Sequence, residues 1–542
     1  MSTPIKEVAV PVSTLTNKGK PAANSADSGA IPRLKDRLTQ ELVIALVGPV
    51  GSGCTTVGNL LQEMLEHDYG YAVGRYKLSE LIGDYAHKVG EKDASNLSGS
   101  SRIRHLQKTG DALRKAFGPG YLAAKAIEKI AEVRAEVGTE QTADGGEVPV
   151  SLRRVHIVDS LKNPKELQLL RDTYGDMFWV FGVFAPEAVR KGRLQHVQGL
   201  PVESLQEIIA TDYSEAEKHG QSVRDVFHEA DFFVRNDQET ELTLKESLSR
   251  YLEILFGFPV HTPTVDESSM YAAHAEAAKS ACLSRQVGAA ITDPSGEIIG
   301  LGRNDVPRFG GGLYGEENGG GDHRCFKWTG HCCHNDQKKE NLYEQIAQKL
   351  IDSTLLKDSA LRGEVIKALK DTDIRQLIEY SRAVHAEMDA IVSVARSHKA
   401  GLVGGTLYAT TFPCHSCARH IVASGVKKVL YIEPYPKSLA LELHRDAVSE
   451  DGKDATNDVA TGKVVFLQYS GVAPKNMLRL FNVRLTRKEE GGKLRAFDKR
   501  TASPLVAVSL DDFPTHEKYV IAEYAQHERD ATTESQAALF ES

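Results

Sequence analysis

The sequence predicts an α/β protein of two successive units, a parallel-sheet unit followed by an α/β/α unit. Three observations carry this. In the first half, continuous apolar runs ("ELVIALVG", "RRVHIVDSLKNP", "MFWVFGVFAP", "ADFFVRND") alternate with stretches of helical periodicity. The first run enters a glycine-rich loop, "GPVGSGCTT", and leaves it on a helical pattern. In the second half, a hairpin-like pair of runs precedes helix, strand, helix and strand patterns that carry a His, a Glu and two Cys at fixed spacing.

Bulk composition narrows the classes of function. A chain of 542 residues has room for two or three domains. Its net charge of −8 argues against a broad surface that coats nucleic acid, although a local basic groove stays open. The opening "MSTPIKEVAVPVSTLTNKGK" lacks the apolar core of a secretory signal. The run Met177 to Ala185 is too short to span a bilayer. A cytoplasmic location and no membrane partner are therefore expected, with thiols kept reduced. The 7 cysteines are odd in number and clustered, which points to metal rather than disulfides.

In chain order, residues 1–40 are rich in Ser, Thr, Ala, Pro and Lys and are expected to be a disordered arm. The parallel-sheet unit spans 41–259 and closes on the breakers of "FGFPVHTPT". Its helical stretches include "GDALRKAFGPGYLAAKAIEKIAEV". The second unit spans 266–482. There "SSMYAAHAEAAKSACLSR" is helical, and "QVGAAITDPSGEIIGLGRN" is a hairpin turning at Pro294-Ser295-Gly296. An insert rich in Gly, Cys and His follows, from about Asp305 to Gln337. Beyond it, "AVHAEMDAIVSVARSH" is a helix, "GGTLYATTF" a strand, "CHSCARHIVASG" a helix, and "VKKVLYIEP" and "KVVFLQYSG" strands. Residues 483–542 form a C-terminal extension, expected to fray beyond about Asp511.

The strongest chemical signal is "HAE" at His385-Ala386-Glu387 with "PCHSC" at Pro413 to Cys417. A His near a helix start and two thiolates one turn apart, Cys414 and Cys417, can converge on one tetrahedral Zn²⁺ and leave its fourth position open for water. Zinc makes such a water acidic enough to act at neutral pH. Glu387 lies two residues from His385, placed to carry protons between that water, a ring nitrogen and departing ammonia. Four matched residues on elements in the right order set this apart from a lone CxxC, for which a structural zinc would be the default.

On these residues the region from about Ser268 to Leu441 resembles the cytidine/deoxycytidylate deaminase superfamily. "AKSACLSRQVGAAI", with Cys282, Arg285 and Gly288, is similar to the first helix and strand of deoxycytidylate deaminases. "GLGRN" resembles their strand end, and the resemblance implies that Asn304 contacts deoxyribose. "IEPYPKSLA", Ile432 to Ala440, resembles larger fused proteins rather than the small free-standing enzymes. The insert segment "DHRCFKWTGHCCHND" offers His323, Cys325, His331, Cys332, Cys333 and His334. The same resemblance suggests a second, structural zinc near this insertion, but the spacing matches no standard C-x₂-C pair. A second zinc and an exposed loop with incidental Cys and His both stay open.

The glycine loop has the form G-x-x-x-x-G-K-[ST] except for its lysine. Gly48, Gly51, Ser52, Gly53, Thr55 and Thr56 fit, whereas Cys54 stands at the lysine position. Residues 41–256 resemble nucleoside-monophosphate-kinase-like P-loop proteins. Asp159 matches the acidic metal-side position, Arg104 to Arg114 the substrate-side helix, and Arg190 and Arg193 the lid arginines. Phosphoryl transfer depends on positioning and positive charge, which Cys54 cannot supply. The backbone N–H groups remain, so this unit is expected to bind a nucleotide, with Mg²⁺ as a candidate ion, or a macromolecule, without efficient transfer. A vestigial scaffold is the competing reading.

Taken together, the two units resemble the fused bacterial anti-phage deoxycytidine-nucleotide deaminases. That resemblance implies deamination of dCTP or dCMP, depletion of the dCTP pool during infection, a homo-oligomer, and restraint by the P-loop unit. It also implies a small inhibitory RNA or a phage-derived trigger. Two other classes compete: a deaminase of RNA or single-stranded DNA, which would need a basic channel with stacking aromatics, and a non-catalytic nucleotide-sensing switch.

Overall fold

The computed structural model describes residues 37–540 apart from 142–146, 197–200, 202–204, 206, 210, 212–221, 238–240, 259, 357, 436–437, 451–461 and 485. Most of the N-terminal arm, Pro259 at the expected end of the first unit, and residues 436–437 of the Ile432–Ala440 segment thus lie outside the described residues.

The first sheet contains β1 (Leu42–Val47), β2 (Ala72–Lys77), β3 (Arg154–Leu161), β4 (Phe178–Phe184) and β5 (Phe232–Arg235). They lie in the order β5-β4-β1-β3-β2, and every one of these pairings is parallel. All six residues of β1 are buried. Val43, Ala45 and Val47 enter one core, whereas Leu42, Ile44 and Leu46 enter another. Burial on both faces is why such a strand reads as an unbroken apolar run rather than an alternation. By contrast β2, "AVGRYK", is only half-buried and gives no such run, and the sequence pattern misses it.

Helix α1 (Cys54–His67) covers one face of the sheet through Val57, Leu60, Leu61 and Leu65. Helices α2 (Gly99–Phe117) and α3 (Tyr121–Ala135) cover the other. The single helical stretch expected there is two helices, because the chain breaks at Gly118 (φ 105°), before Pro119. Helix α4 (Pro164–Tyr174) starts on a reciprocal cap between Asn163 and Glu166.

The second sheet has β6 (Gly288–Thr292), β7 (Ile298–Arg303), β8 (Thr406–Thr411), β9 (Lys428–Glu433), β10 (Val448–Ser449) and β11 (Val464–Gln468), in the order β10-β11-β9-β8-β6-β7. The β6–β7 hairpin and the β6–β8 pairing are antiparallel, and the others are parallel. Its helices include α5 (Val265–Ala277), α6 (Ala386–Ser397) and α7 (His415–Ser424). Gly302 decides how α6 sits: a Cβ there would lie 2.2 Å from the Ala390 backbone nitrogen. The "GLG" of the hairpin therefore lets the helix that carries Glu387 press directly on the sheet.

The two sheets are joined. A two-residue strand, β12 (Gly471–Val472), leaves the second sheet and pairs antiparallel with β5 of the first. Met270, Ala273, Tyr408, Leu430 and Tyr469 share one hydrophobic core with β1 and α3. Glu267 spans the junction, accepting from Arg250 at 2.7 Å and from the Val472 backbone at 3.0 Å. The tail expected to fray beyond Asp511 is instead helix α8 (Phe513–Phe540). It lies on the first unit: Phe513 and Val520 enter its core, Tyr121 donates to Glu528 at 2.6 Å, and Arg134 donates to Glu517 at 2.6 Å. The apolar positions of this helix are sparse and its charges are paired on folding, so a composition-based reading takes it for a solvated end. Among the described residues, no helix is long and apolar enough to cross a membrane.

Candidate metal centre and glycine loop

His385 caps the N-terminus of α6 (φ −77°, ψ 153°), and Cys414 caps that of α7 (φ −69°, ψ 165°). Cys417 lies in the first turn of α7. Because α6 and α7 flank the same sheet, the three side chains meet. His385 Nδ1 is 3.4 Å from Cys414 Sγ and 3.3 Å from Cys417 Sγ, and the three ligand atoms all lie within 4.8 Å of one another. Among the described residues this is the one set of three or more His, Cys, Asp or Glu donors so gathered. One imidazole and two sulfurs fit Zn²⁺, and three protein ligands are the count of a centre with an open position.

Glu387 is buried in the first turn of α6 and meets the Cys417 thiol. Burial pushes its carboxyl above the usual range, and the neighbouring His385 opposes this. Hydrogen bonding to Cys414 raises His385 to about 9. Hydrogen bonding from Cys417, with His385 assisting against burial, holds the Cys414 thiol down at about 4, so one sulfur of the pair is poised as a thiolate.

His385, Glu387 and Cys414 line a cavity of about 220 Å³ together with Arg285, Asn304, Phe412 and Tyr435. Asn304 lies in the wall, and both ends of its amide are engaged. Its Nδ2 donates to the Arg285 carbonyl at 2.7 Å, and its Oδ1 accepts from the Val287 backbone at 2.7 Å. Asn304 thus braces the loop that carries Arg285.

The insert does not gather its donors. His323 and His334 each stack on Trp328, with ring centroids 6.2 and 5.4 Å apart. His331 is turned to the Phe326 carbonyl at 2.8 Å. Cys325 and Cys333 line the same cavity as His385, and burial pushes the Cys325 thiol up. Cys332 and these five residues form no second set of three donors among the described residues.

The glycine loop lies between β1 and α1, as its sequence predicts. Gly48 is required by close approach, since a Cβ would lie 2.3 Å from the Val183 carbonyl oxygen. Gly53 caps α1 in the left-handed region, at φ 89°. Thr56 is exposed, and Ser52 Oγ lies 3.6 Å from the buried Cys54 sulfur. The loop's carbonyls, not its N–H groups, receive the nearby cations. Lys162 donates to Gly48 at 2.8 Å, Arg190 to Val50, and Arg193 to Gly51 and Ser52, each at 3.3 Å. Asn236 donates to Ser52 at 2.8 Å. Asp159, the expected metal-side carboxylate, accepts from Arg75 at 2.7 Å and from Thr55 at 3.3 Å. Arg75, Lys162 and Asn236 carry no spacing signal. They come from β2, from the end of β3 and from the end of β5, and only the sheet order brings them to the loop.

Residues 263–433 match the family model described as the cytidine and deoxycytidylate deaminase zinc-binding region, and they carry such a region. The chain is 44% identical over 55 residues to the deoxycytidylate deaminases of Enterobacteria phages T2 and T4, which is 10% of this chain. It thus spans 29% and 28% of the length of those relatives. Among solved structures, the dCMP deaminase of cyanophage S-TIM5 in complex with dCMP and dUMP is similar at 20% identity, covering 38% of this chain and 98% of that one, with a TM-score of 0.22. Shikimate kinase from Acinetobacter baumannii in complex with shikimate is similar at 14% identity, covering 41% and 96%, with a TM-score of 0.24.

Proposed function

We propose that the chain is a zinc-dependent hydrolytic deaminase that converts deoxycytidine nucleotides, dCMP and dCTP, to the deoxyuridine nucleotides. The observation that carries this is the convergence of His385, Cys414 and Cys417 beside a buried Glu387, at the wall of one cavity that His385, Cys414 and Glu387 line. Zinc bound there supplies a Lewis acid that makes water nucleophilic at neutral pH. Glu387 takes a proton from the attacking water and delivers it to the ring nitrogen. It then takes the proton of the new hydroxyl on the ring carbon and passes it to the amino group, which leaves as ammonia while the ring carbon keeps the oxygen as a carbonyl. Burial suits it to this double role, because a raised pKa brings its acid and base forms closer together at neutral pH. Asn304 and Arg285 form the wall that would meet sugar and phosphate. The names of the phage relatives support a deoxycytidine nucleotide as substrate.

The finer reading rests on the resemblance of the two-unit order and of residues 432–440. Residues 41–259 are a regulatory P-loop-derived unit, residues 266–482 the deaminase, and residues 483–542 an extension. The assembly is a homo-oligomer that depletes dCTP in anti-phage defence, released by a small RNA or a phage-derived trigger. Arg75 on Asp159 and Cys54 at the lysine position both favour binding without phosphoryl transfer. The deciding experiment incubates purified protein with dCMP, dCTP, CMP, CTP and the adenine counterparts and resolves products by chromatography. dUMP and dUTP with stoichiometric ammonia are expected. No product from any cytosine nucleotide would overturn the reading.

A further inference from the structure

Two arginines, Arg285 and Arg382, stand on the walls of the cavity beside His385, and Glu387 is the one carboxylate among its lining residues. The two cations differ in what already holds them. Arg285 is paired with Glu433. Arg382 has no carboxylate partner among the described residues. Its Nη1 donates to the His323 carbonyl at 3.1 Å, and its Nε and Nη2 make no hydrogen bond to the described residues. Its guanidinium lies over Trp328, 3.8 Å from the ring centroid, and Trp328 is itself stacked by His323 and His334. The segment that carries it is fixed relative to the metal centre. Arg382 lies three residues before His385, and between them the backbone of Val384 donates to the Asp305 carbonyl at 2.9 Å.

We propose that Arg382 is a substrate-binding residue that takes the 5′-phosphate of the nucleotide on its Nε–Nη2 edge, so that the site prefers a nucleotide to the bare nucleoside. The inference rests on the deaminase reading for the identity of the ligand. Glu387 is buried beside the metal ligands, which fixes the end of the cavity where the ring must lie. Arg382 is half-buried, which suits a group as strongly hydrated as a phosphate. The planar fork of a guanidinium matches two phosphate oxygens. The stack on Trp328 and the bond to His323 hold that fork in place before any ligand arrives, so little side-chain freedom is lost on binding. Arg285 is less suited to the task, because Glu433 already offsets its charge. A purely structural Arg382, pinning Trp328 by its face, would treat nucleotide and nucleoside alike.

The test is isothermal titration calorimetry of the full, zinc-loaded chain carrying Glu387→Gln, which allows binding to be read without turnover. dCMP and deoxycytidine are compared with and without Arg382→Gln. The ratio of the two dissociation constants is expected to fall by roughly 10- to 100-fold in Arg382→Gln, the range for a lost hydrogen bond to a charged group. In the chain with Glu387 intact, the same substitution should raise KM for dCMP far more than it lowers kcat. Arg382→Lys keeps the charge without the fork or the stack. It should lose several-fold of the preference, and it stands in for Arg382→Gln should that variant not fold. A preference for dCMP that stays at the starting value in a folded variant, equal losses for dCMP and deoxycytidine, or no dCMP binding up to millimolar concentration would each overturn the proposal. Ammonia release is not part of the calorimetric readout, so the two readings fail separately. A chain that releases ammonia but ignores Arg382 keeps the deaminase, and one that releases none yet shows the Arg382-dependent preference keeps the phosphate contact.

Discussion

The guanidinium of Arg75 lies 2.7 Å from the carboxylate of Asp159, with Arg75 only slightly exposed and Asp159 buried. Asp159 lies near the C-terminal end of β3, beside the glycine loop, where a divalent ion would find its carboxylate. An arginine side chain supplies the positive charge there instead. Together with Cys54 this removes both cations that phosphoryl transfer needs. Wild-type protein should therefore show no Mg²⁺-dependent ATP hydrolysis above background, and Cys54→Lys alone should not create it. A phosphate-release assay that detects turnover in either protein would contradict this account of the loop.

Removing only the partner of Asp159 should be costly. In Arg75→Ala a buried carboxylate loses its charge partner and keeps the Thr55 and Ser160 hydroxyls. A loss of about 3 kcal/mol is expected, in the range for breaking a buried pair. Urea unfolding of the full chain measures it, and a change below about 0.5 kcal/mol would mean that the pair is solvated.

Glu387 should separate chemistry from metal binding. Glu387→Gln removes proton transfer but no ligand, so zinc content should stay at the wild-type level while deamination falls by about 10²- to 10⁴-fold. Cys417→Ser should instead lose the zinc equivalent along with activity. Metal analysis beside ammonia release distinguishes the two, and a Glu387→Gln protein with undiminished turnover would refute the mechanism.

The C-terminal helix should behave as part of the first unit. Arg134 is buried between Glu41 and Glu517, donating to Glu41 Oε2 at 2.7 Å. Arg134→Ala leaves two carboxylates without their cation, and a loss of about 3–5 kcal/mol is expected. Truncation after Leu510 removes Glu517, Phe513 and Val520 at once and should lower the Tm at least as far. Unchanged thermal unfolding in the truncated chain would show the helix to be dispensable.

The same cluster predicts an acid limit. Burial works to raise the Glu41 carboxyl, but His156 and Arg134 more than offset it and hold the group at about 2, below its ordinary 4.5. A carboxyl lowered on folding stabilises fully above its unfolded value and loses that contribution as pH falls toward the folded one. Stability should therefore drop below about pH 4.5. His156, whose pKa burial lowers, adds to the drop because it must gain a proton in the acid-unfolded chain. Urea midpoints recorded from pH 7 downward should fall less steeply in Glu41→Gln than in wild type. Equal slopes would assign the acid sensitivity elsewhere.

The sequence by itself determined the elements whose signal is local. β1, β3 and β4 read as strands because both faces are buried, which makes the apolar run continuous. His385, Glu387, Cys414 and Cys417 were legible because their spacings are set by helix starts and single turns, which a linear reading captures. Tertiary structure decided what depends on distant segments meeting. β2 carries Arg75 but lacks an apolar run, α8 pairs charges such as Glu517 and Glu528 with Arg134 and Lys88, and donors of the insert disperse, His323 and His334 onto Trp328, His331 to the Phe326 carbonyl, Cys325 and Cys333 to the cavity wall. Asn304 and Arg285 stand in one wall because the Asn304 amide, at the end of β7, holds the Arg285 carbonyl and the Val287 backbone. A charge or a thiol acquires its role from the partner that folding brings to it, and that partner lies tens or hundreds of residues away in the chain.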